Sequence, residues 1–225
     1  MRSTGNDIVS LNDINKTRTK QFGFYSKILS STEKNLYDES GFDEMPFENF
    51  VWLLWSLKES AYKYLQRITP GLIFSPIKFT VNNLQFPVEY RIKNFETKQT
   101  EGIGFKNIEV FKGRITFGSD ILFSISIINP EFIVSIVNSS ENFENIGWGI
   151  KVIENSDPNY QSIAVREFLV DKLRTVLQFD DLIIDKNQHG IPIVIIGGGE
   201  EITIPVSLSH HHFLVAYSYN FCSLK

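Results

Sequence analysis

The sequence predicts an α+β protein of two packed halves. Three observations lead there. Leu53, Leu57, Ala61, Tyr64 and Ile68 recur at three- and four-residue steps and mark a long helix. From residue 77 to 137 the apolar rhythm shifts to two, the spacing of strands. Residues 162–179 then return to helical spacing, and further β-type runs follow.

Taken in order, Asp7-Ile8-Val9 is a short β-type run between Gly5-Asn6 and a polar stretch at 10–15. Residues 19–36 read as a helix, with Phe22, Tyr25, Ile28 and Leu29 at helical spacing. Residues 39–46 are polar and turn-rich. The main helix starts at Pro46 or Phe47, where proline suits the first turn, and runs to Ile68 before Pro70-Gly71 stops it. Trp52, Trp55, Glu59 and Lys63 form a second stripe on this helix, roughly opposite the apolar one. A solvated face seldom carries two tryptophans, so cover is expected on both sides, with Glu59 and Lys63 at the edge of a cleft. Strands are expected at 78–81, 103–110, 114–117, 121–128 and 132–137. The second helix, 162–179, turns Ile163, Phe168, Leu169, Leu173, Val176 and Leu177 inward. Runs at 182–184, 191–196 and 206–219 supply the last strands, with turns at 187–190 and 197–201.

Composition narrows the function. The chain of 225 residues is 42% hydrophobic and 21% charged and contains 19 Phe, so it can bury a sizeable core as one large domain or two half-size ones. A net charge of -4 gives no general pull toward nucleic acid, so any anion site must be local. A single cysteine, Cys222, excludes an internal disulfide and a Cys-based zinc site, which fits a reducing compartment. Residues 1–15 carry no apolar leader, and the most apolar run, 115–137, is broken by Asp120, Asn129, Pro130 and Glu131. A cytoplasmic protein with no membrane partner is expected.

Singly, the polar motifs have ordinary readings. Glu59 and Lys63, four apart on a helix, make a surface ion pair worth ~0.3–0.5 kcal/mol. Asp7 is a turn aspartate where a strand begins. His210, His211 and His212, with His189 elsewhere, raise a zinc site without a cysteine to help, and such a histidine protein would retain zinc through purification. Gly197-Gly198-Gly199 lacks the Lys-Ser/Thr of a phosphate loop, and Gly102-Ile103-Gly104 lacks the third glycine of a dinucleotide fingerprint.

Their order along the chain is more specific. Gly5-Asn6-Asp7-Ile8-Val9 leads. Trp55-Ser56-Leu57-Lys58-Glu59-Ser60-Ala61-Tyr62-Lys63 follows, then Gly190-Ile191-Pro192 and Ser209-His210. This succession resembles the 4′-phosphopantetheinyl transferase superfamily, whose most specific mark is the Trp-x-x-Lys-Glu-x-x-x-Lys helix. The motif order is similar to the short, holo-acyl-carrier-protein-synthase type. The length is similar to the longer, Sfp-like type, a pseudo-dimer of two related halves. The resemblance therefore implies a monomeric pseudo-dimer with its halves in the opposite order. Residues 1 to about 118 would hold the Asp and Lys motifs, residues from about 119 to 225 the Gly-x-Pro and Ser-His motifs, and the site would lie between them.

The resemblance implies that Asp7 and Glu59 bind magnesium and that Lys63 lies against the coenzyme A diphosphate. It implies that Ser209 and His210 face the adenosine 3′-phosphate and that Lys58, within the motif, contacts the cofactor. The reaction implied moves 4′-phosphopantetheine from coenzyme A to a serine of an apo acyl or peptidyl carrier protein, in fatty-acid or polyketide synthesis. The base would be Glu59 or a metal-bound water. Val9 stands where Sfp-like members carry a second acid, and Ile191 replaces the lysine of their Gly-Lys-Pro. Arg166 or Arg174 could supply the missing charge. The alternative is a module of the same fold that binds coenzyme A or the carrier without turnover.

Overall fold

The computed structural model describes residues 3–39, 45–87, 98–106 and 109–221. Strand β1 (Gly5–Ser10) opens the chain, followed by three short helices, α1 (Lys16–Thr19), α2 (Phe22–Tyr25) and α3 (Ser31–Glu39), and the long α4 (Phe47–Ile68). Strands β2 (Thr80–Gln85), β3 (Gln99–Ile103), β4 (Phe111–Phe117), β5 (Asp120–Ile128), β6 (Phe132–Asn138) and β7 (Ile146–Val152) come next. Helix α5 (Pro158–Leu177) precedes β8 (Leu182–Lys186), β9 (Pro192–Ile196), β10 (Glu200–Ile202), β11 (Val206–His211) and β12 (Leu214–Asn220).

Two large sheets form, in the orders β1-β6-β5-β4-β2 and β11-β12-β7-β3, with a small third sheet, β10-β9-β8. Period-two alternation then sets the layers. On β6, Ile133 and Val137 join α4 in one core, while Phe132, Val134 and Ile136 face a second core shared with Ile146, Trp148 and Ile150 of β7. On β12, Leu214 and Ala216 enter that shared core, and Val215, Tyr217 and Tyr219 pack instead with Phe168, Leu169 and Leu173 of α5. The result is helix, sheet, sheet, helix. Each buried Leu or Ile in these layers contributes roughly 1.5–3 kcal/mol. No helix among the described residues is long and apolar enough to cross a membrane.

The sheets do not divide at residue 118. That residue lies in the β4–β5 hairpin, where Phe117 pairs with Asp120. β5 and β6 then complete the first sheet between β4 and β1, while β3 crosses to pair with β7 in the second. Each large sheet nevertheless follows one plan: its long helix follows a strand (β1 or β7) that pairs antiparallel with a later one (β6 or β12).

The structure departs from expectation at 19–36, at β7 and at 103–110. The helix expected at 19–36 is broken into short pieces, because Ser30 and Glu33 make a reciprocal capping box that starts α3 afresh. Ser30 N donates to Glu33 Oε2 at 2.8 Å, and Glu33 N donates to Ser30 Oγ at 3.3 Å. Strand β7 was not expected, since Gly147 and Gly149 weaken its β signature. Added Cβ atoms there would stand 2.0 Å and 2.5 Å from the rings of Tyr219 and Tyr217, so the glycines make room for those rings. The strand expected at 103–110 lies upstream as β3. Residues 40–44 of the expected turn, 107–108 of that strand, and Cys222 lie outside the described residues.

Candidate active site

The site begins with a close approach. A Cβ on Gly5 would stand 2.0 Å from the Ser60 carbonyl oxygen and 2.7 Å from Tyr64 N, so α4 rests directly on β1 only because residue 5 is glycine. Two residues on, Asp7 is buried on the same strand face and is carried against the Glu59–Lys63 stripe of α4. Lys63 Nζ lies 3.1 Å from Asp7 Oδ1, 3.3 Å from Glu59 Oε1 and 3.1 Å from the Asn6 carbonyl oxygen. Glu59 and Lys63 keep about a quarter of their side-chain surface exposed, at 27% and 23%, and so open onto the cleft.

Burial pushes the Asp7 carboxyl up to about 7; the Glu59 charge adds to the shift and Lys63 opposes it. For Lys63, burial acts downward, but the two carboxylates more than offset it and its pKa is raised. Asp7 Oδ2 is buried without a hydrogen-bond partner. A buried orphan oxygen, a second carboxylate open to the cleft and a cation already drawn between them suit a hard divalent ion. Magnesium takes one or two carboxylates and completes its shell with water and phosphate oxygens.

Strand β11 supplies the opposite wall, and its two faces do different work. Ser207 Oγ accepts from Asn6 N at 2.9 Å, Ser209 Oγ accepts from Asn6 Nδ2 at 2.7 Å, and His211 Nδ1 accepts from Ser10 N at 2.7 Å. The outer edge of β1 is thus satisfied by side chains. His210 points the other way and lines a cavity of about 210 Å³ between α4, α5, β9 and β11. Lys63, Arg67, Arg166 and Lys186 line it too, with Gly190, Ile191 and Pro192, and no lining residue is acidic. Burial, then Lys63 and Lys186, lower the His210 pKa.

Lys63, His210 and Arg166 therefore line one cavity, and Asp7 and Glu59 adjoin it through Lys63. Ser209 borders it from within, only 3% exposed and committed to Asn6. Lys58 is not in the cleft. Its side chain is fully buried, with Nζ 2.7 Å from Glu33 Oε2 and 2.6 Å from the Ile28 carbonyl oxygen. The expected cofactor contact is corrected to a core ion pair, because Lys58 sits on the buried side of α4. Arg174 lies outside the cavity, paired with Asp171 at 3.8 Å. The histidines diverge: His212 sits in the β11–β12 turn with φ of 55°, its Nδ1 2.9 Å from Asp13 Oδ2. Among the described residues no group of three His, Cys, Asp or Glu could hold a metal, which gives the zinc reading no support.

Sequence reasoning missed Arg67 and Lys186. Arg67 continues the Glu59–Lys63 stripe by one more turn. Its Nη2 donates to the carbonyl oxygens of Pro192 (2.9 Å) and Val206 (2.5 Å), tying α4 to β9 and β11. Burial lowers its pKa to about 10, so it stays cationic at neutral pH. Lys186 follows Leu182 and Ile184 on one face of β8, where the core gives way to the cleft.

Residues 3–112, which is 110 of the 225, match the family model described as the 4′-phosphopantetheinyl transferase superfamily, in agreement with the resemblance read from the motifs. The matched segment contains Asp7, Glu59 and Lys63; His210, Arg166 and Lys186 lie beyond it. No curated protein and no solved structure matches the chain.

Proposed function

We propose that this chain is a 4′-phosphopantetheinyl transferase that modifies a serine of an apo carrier protein with coenzyme A as donor and magnesium as its metal. One observation carries the reading. Asp7 and Glu59 both pair with Lys63, which itself lines a cavity rich in cations and free of acids, the environment a diphosphate with a further phosphate requires.

In the reaction the carrier serine oxygen bonds to the β-phosphorus of coenzyme A. The phosphoanhydride bond breaks, and adenosine 3′,5′-bisphosphate leaves. Magnesium held by Asp7 and Glu59 would neutralise diphosphate charge. Lys63 meets the same charge from the cleft side, while His210 and Arg166 hold the nucleotide end. Glu59, the more exposed carboxylate, is the chain's own candidate to take the serine proton. Binding alone would not require Asp7, Glu59 and Lys63 together, which disfavours a module without turnover. The common plan of the two large sheets supports a pseudo-dimer within one chain, with the site where β1 and α4 meet β11.

The test is Glu59→Gln, a substitution of equal size at a partly exposed position. A folded variant should transfer at least about a hundredfold more slowly, the scale of losing one electrostatic contact to a transition state. Wild-type rates from it would remove Glu59 from the mechanism.

A further inference from the structure

The loop that would present a lysine to the nucleotide reads Gly190-Ile191-Pro192 here, with Ile191 95% buried rather than reaching into the cleft. We propose that Lys186, on the neighbouring strand, supplies that missing cation and, with Arg166, grips the 3′-phosphate of the donor. This inference rests on the donor assignment above. Lys186 pairs with Pro192 across the β8–β9 hairpin, so it flanks the loop whose basic side chain is absent. Its position on the Leu182–Ile184–Lys186 face turns it toward the same cavity as His210, close enough for its charge to act on that ring.

Arg166 approaches from α5. Its Nη1 donates to Ser162 Oγ at 3.0 Å, and its Nε is buried without a partner. A buried guanidinium N–H left unpaired beside an exposed lysine and a histidine is a site that gains when a phosphate oxygen arrives. Neither cation is spent on an ion pair among the described residues, in contrast to Lys172, which pairs with Glu101 at 3.6 Å.

The experiment is calorimetric titration of coenzyme A and dephospho-coenzyme A into the wild type, Lys186→Ala, Arg166→Lys and the control Lys172→Ala. Each variant is first checked for an unchanged melting temperature. Wild type and the Lys172 variant should prefer coenzyme A by the same ratio. The Lys186 variant should lose about tenfold of that ratio, because the loss falls on the ligand that carries the 3′-phosphate. Arg166→Lys should also lose ratio, since an ammonium cannot reproduce the fork of donors. An unchanged ratio, or equal weakening toward both ligands, in folded Lys186→Ala overturns the proposal. A wild type that binds coenzyme A without preferring it also overturns it. A wild type that binds neither ligand overturns the donor assignment itself.

Discussion

Lys63 Nζ stands 3.1 Å from Asp7 Oδ1 while its side chain also lines the basic cavity, so one ammonium borders both the carboxylate pair and the cavity. Lys63→Met removes the charge between Asp7 and Glu59 and leaves two carboxylates to repel each other, one of them buried. Transfer should fall by at least about a hundredfold. The metal-free variant should melt lower than wild type at pH 8, with the gap closing as pH falls and Asp7 takes a proton. An equal gap at every pH would show that the lysine contributes packing alone.

The sign of the Asp7 shift sets a second expectation. Its carboxyl rises from 3.8 to about 7, chiefly through burial. A raised folded value means the folded protein holds the proton more tightly. Stability from this group is therefore fully present below about pH 4, declines as pH rises to about 7, and then levels off. Against Asp7→Asn, which does not titrate, metal-free wild type should lose stability across that window. Magnesium needs the ionised form, so its stabilising effect should grow as pH rises through about 7. Melting temperatures in EDTA and in magnesium check both; a difference between wild type and Asp7→Asn that does not change with pH contradicts the account.

Lys58 and Glu33 form a fully buried pair, and Glu33 Oε1 also accepts from Val81 N at 2.8 Å. Lys58→Met strands a buried carboxylate and should cost about 3–5 kcal/mol in a denaturant melt. Because Lys58 faces away from the cleft, the folded fraction should transfer at near wild-type rates. A stable but inactive variant would return Lys58 to the site.

Ser209 and His210 are neighbours in sequence on opposite faces of β11, one bonded to Asn6 and the other lining the cavity. Ser209→Ala leaves the buried Asn6 amide without its partner and should cost about 1–3 kcal/mol of stability, with the preference for coenzyme A over dephospho-coenzyme A intact. His210→Ala should do the reverse, keeping stability and losing preference. Calorimetry and melting of the two variants separate these roles; a shared phenotype would contradict the opposed faces of β11.

Gly5→Ala places a methyl group 2.0 Å from the Ser60 carbonyl oxygen and must push α4 off β1. The expected cost is at least about 1–3 kcal/mol, the scale of overpacking, and transfer should weaken because Asp7 and Lys63 separate. A thermal melt beside a transfer assay checks it; unchanged values would mean the strand and helix adjust freely.

Much of this was legible in the residues. The apolar stripe of α4 and the alternation of β5 and β6 follow from periodicity, and the convergence of Asp7, Glu59 and Lys63 was implied by the family resemblance of the motifs. What was not legible depended on partners far along the chain. Nothing local marks Gly147 and Gly149 as strand residues, because their cause is the pair of tyrosine rings on β12. Lys58 reads as a motif cation until Glu33, 25 residues earlier, is seen to meet it in the core. Lys186 becomes a cavity-lining residue only once β8 lies beside β9. The capping box at Ser30 and Glu33 was readable, and it explains why the helix expected at 19–36 breaks.

The most direct test of the central claim is the intact mass of an apo acyl carrier protein after incubation with this protein, coenzyme A and magnesium. The account predicts the gain of one phosphopantetheine, abolished by EDTA and restored by excess magnesium. An unmodified mass across several unrelated carriers, from folded protein that still binds coenzyme A, would contradict it and leave a binding module in its place.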